Sequence, residues 1–126
     1  MLQRRRILIV EDDEDVRSMF RISLTLAGYD VQEAGDGLEA LRRIDHSPPD
    51  LVVLDLGLPF VSGDVVQQEI ATHVFTRNIP VVIVTGSGKD LSDRKVACVL
   101  RKPVMPEELV RTVESCLTSG APGSVS

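Results

Sequence analysis

The 126-residue sequence contains no apolar run approaching the roughly 18 residues that a membrane-spanning helix requires, and its N-terminal "ILIV" at 7–10 is too short for a signal-peptide core. It also lacks a basic excess. Fourteen Lys and Arg stand against nineteen Asp and Glu, a net charge of -5, so direct nucleic-acid binding is not expected, because phosphate neutralisation needs a basic face. The "QRRR" at 3–6 reads as a solvated arm rather than a targeting signal. Cysteine is scarce: Cys98 and Cys116 show neither CxxC nor any metal-ligand spacing and read as two reduced, packed thiols. His46 and His73 stand apart from any candidate ligand and read as solvated. A phosphate loop is missing too, since "GSGKD" at 86–90 has Ile83 where the pattern needs Gly and Asp90 where it needs Ser or Thr. Together these absences predict a cytoplasmic protein with no membrane segment and no disulfide framework.

What is present is a single-domain pattern, long enough to bury a hydrophobic core unaided. Five short runs rich in Val and Ile, at Ile7–Val10, Tyr29–Glu33, Leu51–Leu54, Pro80–Thr85 and Ala97–Leu100, predict strands. Helical spacing separates them. Residues 14–27 put Val16, Phe20, Leu24 and Ala27 on one face with Met19 beside it, and Gly28 stands in the capping position. Residues 37–46 repeat the pattern through Leu38, Leu41 and Ile44, and "SPPD" at 47–50 ends it. A third helix is expected over 64–75 through Val66, Ile70 and Val74. The last, over 106–118, opens on Pro106-Glu-Glu and carries Leu109, Val113 and Cys116 or Leu117.

Strands alternating with helices of this length indicate parallel βαβ units, and strands apolar without alternation are covered on both faces. The expected fold is α/β, a doubly wound five-stranded parallel sheet. The domain is expected over 1–118, with "SGAPGSVS" at 119–126 a flexible tail or linker.

Ligands of such sheets bind beyond the carboxyl ends of the strands. The first strand runs into Glu11, Asp12 and Asp13, the third ends at Asp55, the fourth at Thr85 and the last near Lys102. Carboxylates gathered at one edge cannot all stay ionised uncompensated, so they take a hard cation, titrate upward, or do both. With only oxygen donors at hand, Mg²⁺ is the fitting ion and zinc is not.

These residues carry a resemblance. "VEDD" at 10–13, "LDLGLP" at 54–59, Gly63 eight residues after Asp55, "VTG" at 84–86 and "KP" at 102–103 are similar to the motifs of the receiver domain of two-component response regulators, from about Arg6 to Leu117. The resemblance implies a flavodoxin-like fold with Asp55 as phosphoacceptor. Asp12, Asp55 and the backbone carbonyl of Gly57 would ligate Mg²⁺, Glu11 would act through a bound water, and Thr85 and Lys102 would contact phosphoryl oxygens. It further implies a cis Lys102–Pro103 peptide, and a signalling module rather than a turnover enzyme. The phosphoryl group would come from a sensor histidine kinase or a phosphotransfer protein. The consequence would pass to an output domain or effector, with a phosphorylation-dependent dimer as one form.

Two positions depart from that pattern. Val99 stands where family members usually carry Tyr or Phe, and a stiff β-branched side chain is too small for the swing of a ring. The stretch from Thr85 to Lys102 is short by roughly a helical turn, and its polar "GSGKDLSDRK" at 86–95 leaves little apolar face, so a shortened fourth helix, or a loop in its place, is expected there. These departures favour an alternative, a docking module independent of phosphorylation, but nothing in docking requires all five of Glu11, Asp12, Asp55, Thr85 and Lys102. A third reading, a Mg²⁺ phosphohydrolase with an Asp nucleophile, would need a second acid where Gly57 stands.

Overall fold

Uninterrupted β-branched and Leu-rich runs build the centre of the fold. In the computed structural model, which describes residues 4–86 and 98–118, the elements follow in the order β1 (Arg6–Val10), α1 (Glu14–Leu26), β2 (Asp30–Ala34), α2 (Gly37–His46), β3 (Leu51–Asp55), α3 (Gly63–Thr72), β4 (Val81–Thr85), β5 (Cys98–Arg101) and α4 (Pro106–Thr118). All five strands pair in parallel in the order β2-β1-β3-β4-β5. The order reverses direction between β1 and β3, which makes the sheet doubly wound as expected and places a crevice at their carboxyl ends.

Alternation within each strand sorts the core into two layers. Leu8, Val10, Val52, Leu54 and Ile83 face Ala40 and Ile44 of α2 and Val66 and Ile70 of α3. Ile7, Ile9, Val53, Val82 and Val84 face Phe20 and Leu24 of α1 and Leu109, Val113 and Cys116 of α4. Every residue of β3 and β4 is buried, so these two strands hold the chain ends they carry most firmly. Full burial of one such Leu or Phe side chain contributes about 1.5–3 kcal/mol.

Helix ends follow their local chemistry. Asp13 caps α1, its Oδ1 accepting from the Asp15 and Val16 amides at 2.9 and 3.1 Å. Gly28 follows that helix with φ +102, the conformation its capping position demands. Asp36 caps α2 by accepting from the Glu39 amide at 2.8 Å, while the Glu39 carboxylate reaches back to the Gly35 amide, also at 2.8 Å.

The structure corrects four details of the sequence reading. Helix α3 stops at Thr72 instead of reaching 75, and Val74 is 63% exposed. The Thr76 hydroxyl donates to the Ile70 carbonyl at 2.8 Å, taking the acceptor that a continuing helix would have offered to the amide of residue 74. On α2 the inner face runs through Ala40 and Ile44, and Leu38 is half exposed, because the first turn is rotated to bring Gly37 inward. Ala27 lies beyond the end of α1 as its cap residue and is exposed. Strand β2 is displaced by one residue, with Tyr29 preceding it and Ala34 closing it. The fourth helix expected between Thr85 and Lys102 and the tail at 119–126 lie outside the described residues, as does Ala97; β5 is described from Cys98.

Candidate functional site

Parallel register carries four strand ends to one rim. Val10 sits opposite Ala34 on one side and Leu54 on the other, Asp55 opposite Val84, and Thr85 opposite Arg101. The next residues, Glu11 and Lys102, are tied to the sheet by their own amides, which donate to the Ala34 carbonyl at 3.1 Å and the Thr85 carbonyl at 2.9 Å. A cleft of about 510 Å³ results, lined by Glu11, Asp12, Asp13, Asp55, Leu56, Gly57, Thr85, Gly86 and Lys102. All six residues expected at the site, Glu11, Asp12, Asp55, Gly57, Thr85 and Lys102, therefore line one cleft.

Lys102 organises its floor. The ammonium Nζ lies 3.2 Å from Asp55 Oδ2 and 3.2 Å from Glu11 Oε1. Both acids are almost wholly buried, at 4% and 1% exposure, whereas Asp12 is exposed at the mouth. The other Asp55 oxygen, Oδ1, accepts from the Gly57 amide at 2.9 Å, so the carboxylate plane is fixed by one backbone donor and one cation. Thr85 is also buried, at the end of β4. The Lys102–Pro103 peptide is cis.

The buried acids respond as electrostatics requires. Burial pushes the Glu11 carboxyl up to about 7; the Asp55 charge adds to this, while the Asp13 amide and the Lys102 charge pull it down. Burial would lower the Lys102 ammonium, but the Asp55 and Glu11 carboxylates more than offset it and raise the group above its ordinary value. Lys102 is thus held cationic.

A hard cation fits what is present. Carboxylate oxygens of Glu11, Asp12 and Asp55 lie within 4.8 Å of one another. Glu11 Oε1 is buried and accepts no hydrogen bond among the described residues, although the Lys102 charge stands beside it. An all-oxygen set with an unsatisfied buried acceptor suits Mg²⁺ better than a thiol- or imidazole-seeking metal.

Asp13 also lines the cleft but is outside the close carboxylate group: one of its oxygens caps α1, and its amide donates to Glu11 Oε2 at 3.1 Å. Arg17 was not foreseen. Its guanidinium donates to the Glu11 carbonyl at 2.9 Å and pairs with Glu33 at 3.3 Å, tying the loop after β1 to α1 and β2. Its position one turn into an acidic helix start was the available signal. His46 and His73 are both exposed, His73 pairing with Glu69 at 3.0 Å.

Comparison with known proteins agrees with this geometry. A family model described as the response regulator receiver domain matches residues 7–114. The chain is 37% identical over 117 residues to the DNA-binding dual master transcriptional regulator RpaA of Synechocystis, covering 89% of this chain and 48% of that protein. It is 32% identical to the phosphate regulon transcriptional regulatory protein PhoB of Pseudomonas aeruginosa, covering 94% and 54%. The chain thus spans about half the length of these curated relatives. Among solved structures, the chemotaxis response regulator CheY4 of Vibrio cholerae superposes with a TM-score of 0.85 at 25% identity, covering 91% of this chain and 100% of that one. A receiver domain protein of Clostridium thermocellum gives 0.80 at 25%, covering 91% and 95%.

Proposed function

Because the chain belongs to the response regulator receiver domain family, we propose that it accepts a phosphoryl group on Asp55 and signals through the resulting change in charge and conformation. The observation that carries this reading is the Lys102 ammonium standing 3.2 Å from both Asp55 and Glu11. A partly exposed cation shared by two buried acids has little to recommend it as a stabilising device, but it is what a carboxylate receiving an anion requires.

In the proposed reaction an Asp55 oxygen forms a bond to phosphorus as the donor's P–N bond breaks, and the bonding electron pair returns to the imidazole nitrogen of the donor histidine. Such transfer needs little covalent help from the protein; it needs charge neutralisation and alignment. The Gly57 amide and Lys102 supply alignment by fixing the two Asp55 oxygens. Lys102 would also supply charge to the incoming phosphoryl oxygens, and the Thr85 hydroxyl, from a residue lining the same cleft, would donate to one of them. Glu11, Asp12, Asp55 and the Gly57 carbonyl would hold Mg²⁺, which when bound neutralises phosphoryl charge. Phosphorylation then adds negative charge beside Thr85 and shifts a pre-existing equilibrium.

The donor would be a sensor histidine kinase or a phosphotransfer protein, and the recipient of the signal an output domain or effector protein. Among the described residues no helix is long and apolar enough to cross a membrane. Val99, 37% exposed on β5, supports the second reading, docking without phosphorylation, because the ring that usually transmits the change is missing.

Intact mass separates the two. With a small phosphodonor and Mg²⁺, the native chain should gain one phosphoryl group and Asp55→Asn none; a native chain that stays unmodified would overturn the phosphoacceptor reading and favour docking instead.

A further inference from the structure

We propose that Gly37, in the first turn of α2, is a positioning residue for the phosphoacceptor loop, because its missing side chain leaves the notch that seats Val61. The inference rests on the reading of Asp55 given above and concerns what holds its loop in place.

The loop between β3 and α3, residues 56–62, is gripped from two sides. At its end lies Gly63, where a Cβ would overlap the Asp55 carbonyl oxygen and come within 2.7 Å of the Leu56 Cα. Two residues before it lies Val61, and a Cβ on Gly37 would approach its carbonyl oxygen to 2.5 Å and its Cβ and Cγ1 to 3.0 Å. Real Cβ atoms do not sit that close to backbone, so something would have to move. Helix α2 cannot easily yield. Asp36 and Glu39 lock its start through two side-chain-to-backbone bonds of 2.8 Å, and Ala40 and Ile44 are packed in the core behind it. Val61 must therefore give way, and with it the loop whose Gly57 amide holds Asp55 Oδ1.

Backbone conformation is not the reason for glycine here. Gly28 is the one glycine with positive φ among the described residues, so Gly37 has a conformation open to any residue. Helix propensity alone would favour alanine. Space and propensity consequently predict opposite outcomes for Gly37→Ala. Gly35, two residues earlier, serves as the control, since a Cβ there would meet Arg17 at an ordinary 3.5 Å.

The test compares native protein, Gly37→Ala and Gly35→Ala by backbone NMR without metal, then by titration with Mg²⁺, and finally by phosphoryl uptake measured by mass. Gly37→Ala should displace the amide resonances of Val61 and Gly57 in the metal-free protein and weaken Mg²⁺ binding about tenfold, the scale on which residues supporting metal ligands act. Gly35→Ala should leave both unchanged. Gly57 and Val61 resonances that stay in place in a folded Gly37→Ala protein would overturn the proposal. Should Gly37→Ala not fold, Val61→Gly empties the notch from the other side; it should shift the Gly57 amide in the same assay, and an unmoved Gly57 resonance would again overturn the inference. A native protein that takes no phosphoryl group refutes the phosphoacceptor reading, while the metal-free resonances still decide the role of Gly37.

Discussion

Asp55 and Lys102 are 47 residues apart in sequence and 3.2 Å apart in the fold, with the Lys102 ammonium equally close to buried Glu11. Replacing Lys102 by methionine keeps the apolar stem and leaves two neighbouring carboxylates without their cation. In metal-free buffer at pH 8 the variant should lose about 1–2 kcal/mol in urea unfolding, less than a fully buried pair would because Lys102 is partly exposed. Phosphorylation should slow markedly, while affinity for Mg²⁺ should hold or rise as a competing cation is removed. Full phosphorylation rate in the variant would detach Lys102 from phosphoryl transfer.

Glu11 gives the metal-free protein a pH dependence. Its carboxyl stands near 7 in the fold against 4.5 ordinarily, so the folded state binds the proton more tightly. Its contribution to stability is fully present below about pH 4.5 and is lost as pH rises through about 7. Asp12, Asp55 and Lys102 share the cleft, and Asp55→Asn should reduce the effect by removing the neighbouring charge. Thermal midpoints in chelator should fall across that window in native protein and much less in Glu11→Gln. Parallel curves for the two proteins would mean that Glu11 keeps an ordinary carboxyl.

The cysteines should differ in reactivity. Burial, with Cys98 as a hydrogen-bonding neighbour, pushes the Cys116 thiol up to about 12, while Cys98 is partly exposed. Iodoacetamide at pH 8 should label Cys98 in the folded protein and spare Cys116, because the thiolate is the reacting form. Stability contributed by the protonated Cys116 should be intact below about pH 9 and lost toward about 12. Equal labelling of both thiols without unfolding would contradict this.

Gly28 isolates a backbone effect. Its φ is +102 and a Cβ there would meet nothing within 4 Å, so alanine brings strain without collision. Gly28→Ala should cost about 1 kcal/mol, with Gly28→Asn milder. A denaturant midpoint unchanged in Gly28→Ala would show that α1 can end another way.

The α/β class, the doubly wound order and the rim of strand-end residues were legible because each depends on short-range signals: runs of Val and Ile, apolar spacing of helices, and polar residues at strand ends. Val74 was misplaced because Ile70, four residues earlier, has its carbonyl taken by Thr76, a competition invisible to periodicity. Leu38 was assigned inward because it is the larger apolar residue, whereas the first turn of α2 presents Gly37 to Val61. Glycine chosen for space leaves no local trace; its reason lies in a neighbour 24 positions away. The Arg17 link to the Glu11 carbonyl was missed on similar grounds, since arginine on a helix is ordinarily solvated.

The interleaved strand order has one more consequence. Glu11, Asp55, Thr85 and Lys102 arrive at the cleft on or directly after four different strands, and the outermost of these, β5, is supplied by residues that follow β4 in the chain. No fragment that stops short of Lys102 can assemble the charges at the rim, and a collapsed state with its strands out of register would separate them. On the phosphoacceptor reading proposed above, competence to be phosphorylated doubles as a check on completed folding: a truncated or misassembled copy would be silent by construction and send no false message.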